Sequence, residues 1–207
     1  MDMTIQDDLR AAMTDGADRT LEFDAVLNAR YPGKLDVYLH ATETGFRIDL
    51  DSSGEPATIL WLPWKQGELT TLRPESIGNA DVGTLFFTYD LSGCKLFAIL
   101  GGPVFHIDAP VTADEMWQQI SSDEWVEEHW ESGSQQVAYV HRDGQDAGLW
   151  DLSAYLVSDG PPSTYGNGNV GSAIVGGVVN ADHQLDLYMR SSPWASLKYS
   201  GQTRKSK

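Results

Sequence analysis

The chain has 207 residues, enough for one domain with a sizeable core or at most two small ones. Its 41% hydrophobic and 10% aromatic content, with seven Trp, excludes an intrinsically disordered chain. Thirty acidic residues against 14 basic ones give a net charge of −16 and a pI near 4.4. That field repels phosphate backbones and argues against direct nucleic-acid binding, while it favours a basic macromolecular partner.

The chain starts with Met1-Asp2-Met3-Thr4, which has neither a basic n-region nor an apolar h-region, so no conventional signal peptide is expected. No run of about 18 apolar residues predicts a transmembrane helix. Ile5, Leu9, Ala12 and Met13 lie at helical spacing behind Thr4 and Asp7, which predicts a short amphipathic helix over Thr4–Met13. The pattern then shifts towards period two. Strands are expected at Thr20–Phe23, Leu35–His40, Phe46–Leu50 and Thr58–Leu62, divided by Pro-Gly, Thr-Gly and Ser-Gly turns. Thr84–Tyr89, Cys94–Leu100 and Val104–Ile107 follow as strands. Thr112–Ile120 and Asp123–Trp130 return to helical composition, the first behind a Thr112/Glu115 cap and the second behind Ser121 or Ser122. Gln136–Arg142, Ser172–Val179 and His183–Met189 complete the expected strands, and Gly201–Lys207 is expected to fray. One strand-rich α+β domain over residues 1–207 is the simplest account.

Two motif matches fail on context. Gly166-Asn167-Gly168-Asn169-Val170-Gly171 satisfies G-x-G-x-x-G, but Pro161 and Pro162 precede it and a β-branched run follows, where a dinucleotide site needs strand, turn and helix. Asp49, Asp51, Ser53 and Gly54 resemble an EF-hand opening, yet loop position twelve is Leu60 instead of a bidentate Glu. His40, His129, His141 and His183 stand in separate segments without metal-ligand spacing, so no metal is expected.

Cys94 is the single cysteine, which excludes an internal disulfide and a Cys-rich zinc site. A lone Cys entering an apolar strand is usually a small buried hydrophobe. Here, however, Leu100-Gly101-Gly102 makes a hairpin turn between the Cys94 and His106 strands. A hairpin centred near Leu100 pairs Cys94 directly with His106 on one face, close enough for thiol–imidazole proton transfer. A slip of one residue would send the two side chains to opposite faces. Gly93 permits an unusual backbone angle before the nucleophile, and N–H groups of Leu91-Ser92-Gly93-Cys94 offer an oxyanion site. Thr88, Asp90 and Asp108 are candidates to orient His106, and strand alternation slightly favours Asp108.

The Leu91-Ser92-Gly93-Cys94 motif with a downstream His resembles the catalytic signature of the cytotoxic necrotizing factor deamidases. A closer resemblance, to the Burkholderia lethal factor family, extends over most of the chain: RIDLDSSGEPATILWLPWKQGEL from Arg47, LFFTYDLSGCKLF from Leu85, GGPVFHIDAPV from Gly101, then SSDEW, QVAYVHR, LSAYL and PSTYG. It implies a thick β-sandwich of mixed sheets surrounded by short helices and loops. It also implies a toxin with protein-glutamine glutaminase activity. Its target would be a glutamine of the host translation initiation factor 4A, an RNA helicase, whose conversion to glutamate blocks protein synthesis. The implied catalytic residues are Cys94, His106 and Thr88, the last in place of Asp108; Tyr165 is a further candidate near the site. A monomer is expected, made in the bacterial cytoplasm and acting in the host cytoplasm, with no cofactor and no membrane or direct nucleic-acid partner. The same thioester chemistry would serve a transglutaminase or cysteine protease. A non-catalytic module that inhibits by occupancy is the alternative of a different class.

Overall fold

Thr4 begins the first helix as the spacing predicts, its Oγ1 accepting from the Asp7 N–H at 3.1 Å. Asp7 and Asp8 lie at the positive end of the helix, and Leu9, Ala12 and Met13 form its buried stripe. The computed structural model describes residues 3–130, 135–142, 156–158, 163–165, 172–190, 194–197 and 200–204. In chain order the elements are α1 (Ile5–Thr14), β1 (Thr20–Phe23), a 3-10 turn (Ala25–Ala29), β2 (Gly33–Ala41), β3 (Gly45–Asp49), β4 (Glu55–Leu62), β5 (Leu69–Leu72), α2 (Pro74–Gly78), β6 (Leu85–Thr88), β7 (Lys95–Ile99) and β8 (Val104–Ile107). Then come α3 (Ala113–Ser121), α4 (Glu124–His129), β9 (Gln135–Arg142), β10 (Leu156–Ser158), β11 (Ser163–Tyr165), β12 (Ile174–Val179), β13 (Leu185–Arg190), β14 (Trp194–Ser196) and β15 (Ser200–Arg204). Among the described residues no helix is long and apolar enough to cross a membrane.

The strands form two mixed sheets, which makes the protein α+β as expected. The first, of eight strands, runs β1-β3-β2-β4-β6-β12-β13-β14; the second, of seven, runs β10-β15-β9-β7-β8-β5, with β11 paired to β9. β1 is parallel to β3, β4 to β6 and β11 to β9, and the other pairs are antiparallel. One core layer lies between the sheets, with Leu60, Leu62 and Phe86 from the first meeting Leu96, Val104 and Val140 from the second. On the far side of the first sheet, Trp61, Leu85 and Phe87 pack with the α1 stripe. On the far side of the second, Phe97 and Phe105 pack with Met116, Trp117 and Trp130 beneath α3 and α4. Both faces of the central strands are therefore covered, which is why β6, β7 and β8 are buried along their whole length.

The intersheet layer carries much of the stability. Phe86 is fully buried there. Phe86→Ala is expected to lower the unfolding free energy by about 3–5 kcal/mol, seen as a lower urea midpoint at unchanged m-value.

Three sequence expectations need correction. Gly201–Arg204, expected to fray, belong to β15, which pairs with β9 and β10; the backbone finds partners in the second sheet that composition cannot show. The cap of α4 is Asp123, not Ser121 or Ser122, its carboxylate accepting from the Trp125 N–H at 3.1 Å. The β7–β8 turn is centred on Gly101, not Leu100. Gly101 takes φ +73° and the Gly102 N–H donates to the Ile99 carbonyl, so three residues occupy the turn and Leu96, rather than Cys94, pairs with His106. The Gly166–Gly171 motif lies outside the described residues.

Candidate active site

Alternation along β6 and β8 decides which side chains face the space between the sheets. Leu85 and Phe87 point to the α1 side, so Phe86 and Thr88 point inward. Phe105 and Ile107 point under α3 and α4, so Val104 and His106 point inward from the opposite sheet. Thr88 and His106 thus meet across the sandwich, Oγ1 to Nδ1 at 2.5 Å. The contact joins one sheet to the other, and both residues are almost wholly buried.

The hydrogen bonds around Thr88 determine the state of the imidazole. The Thr88 hydroxyl donates its one proton to the Leu62 carbonyl at 2.9 Å, on the neighbouring parallel strand. Its oxygen can therefore only accept from His106, which places the ring proton on Nδ1. Nε2 is left as the lone-pair nitrogen, buried and without a hydrogen-bond partner. Burial, only partly opposed by the charge of Asp108, pulls the His106 pKa down to about 3, so the ring is neutral at physiological pH.

Cys94 enters from the residue before β7. Gly93 precedes it with φ +121°, a conformation that L side chains rarely adopt. Leu91 is pinned by a bridge to Ala173, so both ends of the short Leu91–Cys94 turn are held by strand contacts. Continuing the β7–β8 register by one residue sets Cys94 opposite Asp108, and the thiol lies 3.6 Å from Asp108 Oδ1. Because the shift from the expected register is an even number in the pairing sum, Cys94 and His106 remain on one face, as diagonal rather than direct neighbours.

Asp108 does not hydrogen-bond His106. Burial works to raise its pKa, but donors outweigh that: its carboxylate accepts from the Gly67 N–H at 2.6 Å, Trp64 Nε1–H at 2.8 Å and the Ala109 N–H at 2.7 Å, which hold it below the ordinary carboxylate range. Burial first, and the adjacent Asp108 charge second, push the Cys94 thiol up to about 12, only partly countered by the Ala109 N–H and Lys95. The resting pair is a thiol and a neutral imidazole, not an ion pair.

Cys94 lines a cleft of about 250 Å³ with Trp64, Tyr89, Asp90, Ser92 and Asp108. Ser92 is exposed at its edge and Gly93 is buried. Tyr165 ends β11 beside Arg142 of β9, and its side chain falls outside the described residues. Sequence reasoning assigned no role to Trp64, Tyr89 or Gly67. The only signal was that all three lie within segments that carry the resemblance; the Gly67 amide could not be read from any side-chain pattern. Asp90, weighed as an orienter of His106, stands instead in the wall of the cleft.

No curated protein matches the chain. A family model does: Burkholderia lethal factor 1 matches residues 2–206, nearly the whole sequence. The chain, with its cysteine, histidine and threonine gathered at the meeting of two sheets, belongs to the Burkholderia lethal factor 1 family, a family of toxins.

Proposed function

We propose that the protein is a protein-glutamine deamidase that uses Cys94 as nucleophile, His106 as general base and acid, and Thr88 as the residue that positions His106. The observation that carries this reading is the chain from His106 Nδ1–H to Thr88 Oγ1 to the Leu62 carbonyl, which leaves the lone pair on Nε2, on the same strand face as the single cysteine. With a neutral imidazole and an unionised thiol at rest, proton transfer accompanies attack instead of preceding it. Cys94 Sγ bonds to the carboxamide carbon as its proton passes to Nε2. The C–N bond then breaks as that proton moves to the nitrogen, releasing ammonia and a thioester. Water attacks the thioester, giving a proton to Nε2; the C–S bond breaks, glutamate is released and the proton returns to sulfur. In this reading the backbone amides of Ser92 and Gly93 in the Leu91–Cys94 turn would stabilise the developing oxyanion.

Family membership supports a host target, and by resemblance that target is translation initiation factor 4A in the host cytoplasm. The net charge of −16 supports an encounter with a basic, RNA-binding protein. Incubating that factor with the protein and weighing it tests the reading. Deamidation adds about 1 Da, transglutamination adds an amine less ammonia, and proteolysis gives fragments. Translation inhibition without any mass change would instead favour occupancy.

Thr88 gives a graded test. Thr88→Val keeps the shape but leaves the Nδ1–H without its acceptor, and is expected to lower kcat about 10–100-fold. Thr88→Ser keeps the hydroxyl and should retain most of the activity. Equal loss in both variants would remove Thr88 from the mechanism.

A further inference from the structure

Two carboxylates face the Cys94 cleft, and only one is satisfied. Asp108 is saturated by the donors described above. Asp90 is different. Its backbone is fixed by the neighbouring Leu91, whose N–H donates to the Ala173 carbonyl at 2.7 Å and whose carbonyl accepts from the Ala173 N–H at 3.1 Å. The Ser172 side chain hydrogen-bonds its carboxylate, yet Oδ1 is buried and has no hydrogen-bond partner. Burial raises its pKa, the mark of a carboxylate short of donors. Tyr89 and Asp90 also divide the Cys94 cleft from a second cleft of about 500 Å³ that reaches Phe23, Ser172 and Arg190. Asp90 lines both clefts, so its side chain borders the path of a ligand bound against Cys94, and a small turn of the carboxylate would bring the unsatisfied oxygen to that path. A buried acceptor without a donor is costly, and a ligand N–H removes that cost.

We propose that Asp90 is the specificity-determining residue for the leaving group: its Oδ1 accepts an N–H of the substrate carboxamide. This deepens the reading of Cys94 as the nucleophile and rests on it. An amide presents donors at its nitrogen, so it satisfies Asp90 and is held with its carbonyl carbon towards sulfur. The product carboxylate has no donor there and meets a like charge, so the same residue that admits glutamine expels glutamate. Asp90 thus discriminates substrate from product at the only atom where the two differ.

Because Cys94 is the only cysteine, alkylation reports on this cleft alone. Iodoacetamide carries the substrate's carboxamide and iodoacetate the product's carboxylate; N-ethylmaleimide serves as the control for thiol reactivity. The wild type should be alkylated faster by iodoacetamide than by iodoacetate at a common pH. Asp90→Asn, an isosteric change that keeps a Ser172 partner, should cut that ratio roughly tenfold while changing the maleimide rate by less than about twofold. Asp90→Glu retains the charge and should retain part of the preference, which guards against a loss caused by misfolding. A ratio that Asp90→Asn leaves unchanged overturns the assignment, even if the protein deamidates its target. A ratio that falls as expected supports it, and would do so even if no protein substrate were deamidated, an outcome that would count against the glutaminase reading alone.

Discussion

Cys94→Ala is expected to abolish deamidation, with a loss on the order of 10⁴-fold or more, because no other group in the cleft can form the thioester. The change should leave the fold intact. Cys94 is a small member of the intersheet core, and trimming one sulfur there costs on the order of 1 kcal/mol. The same variant carries a second, independent signature at alkaline pH. The folded thiol has its pKa raised from 9.0 to about 12, so between those values the folded state holds a proton that the unfolded state has lost. Stability conferred by keeping that thiol protonated is present below pH 9 and declines above it, by up to about 1.4 kcal/mol per pH unit. Urea unfolding of wild type and Cys94→Ala between pH 8 and about 10.5 should show the decline in the first and its absence in the second. Full activity in Cys94→Ala, measured by intact mass of the target, would remove Cys94 as the nucleophile.

His106→Gln is the second large effect. Glutamine reaches the same depth, but it cannot take a proton from sulfur and give it to nitrogen. Activity should fall by about 10²–10⁴-fold. Stability should change in the opposite pH range to that of Cys94. The folded imidazole has its pKa lowered from 6.5 to about 3, so between those values the unfolded state binds a proton that the folded state refuses. Wild-type stability is therefore fully present above pH 6.5 and falls as pH drops, by up to about 1.4 kcal/mol per unit from this group. In His106→Gln that part of the acid slope should vanish. A wild-type slope that persists unchanged would mean that His106 is not the buried neutral ring described above.

The activity profile follows from the same two groups. Neither ionises in the folded protein between pH 5 and about 9, so kcat should be nearly flat there apart from ionisations on the substrate. The pair differs in this from cysteine enzymes that hold a resting thiolate–imidazolium pair; burial of both groups is the main cause, and Asp108 adds to it at the thiol. Its charge beside the thiol opposes the thiolate, while its three N–H donors keep it ionised.

Much of the fold was legible because local physics determines it. The Thr4 and Thr112 caps, the apolar stripe of α1, the alternation in β1 and the short apolar runs of β6 and β8 are properties of short windows, and they form where the pattern places them. The weakly patterned β5, β10, β11, β14 and β15 were invisible, since three- to five-residue strands are recruited by partners and not by their own sequence. The seam of β4 and β6 shows the same limit. It is a parallel pair whose chain visits β5 in the second sheet before returning, so proximity of Leu62 and Thr88 is a fact of topology alone.

The sequence by itself determined that the protein has a single thiol, that a glycine precedes it, and that an imidazole follows on the next strand facing the same way. Those are matters of composition and of a period of two, which survive a shift in the turn so long as the shift preserves parity. The tertiary structure decided the rest. It set Asp108, not His106, opposite Cys94, because Gly101 carries the turn. It also brought Thr88 from one sheet against His106 of the other. No hairpin rule reaches between sheets, since only packing two buried faces together decides which inward side chains touch.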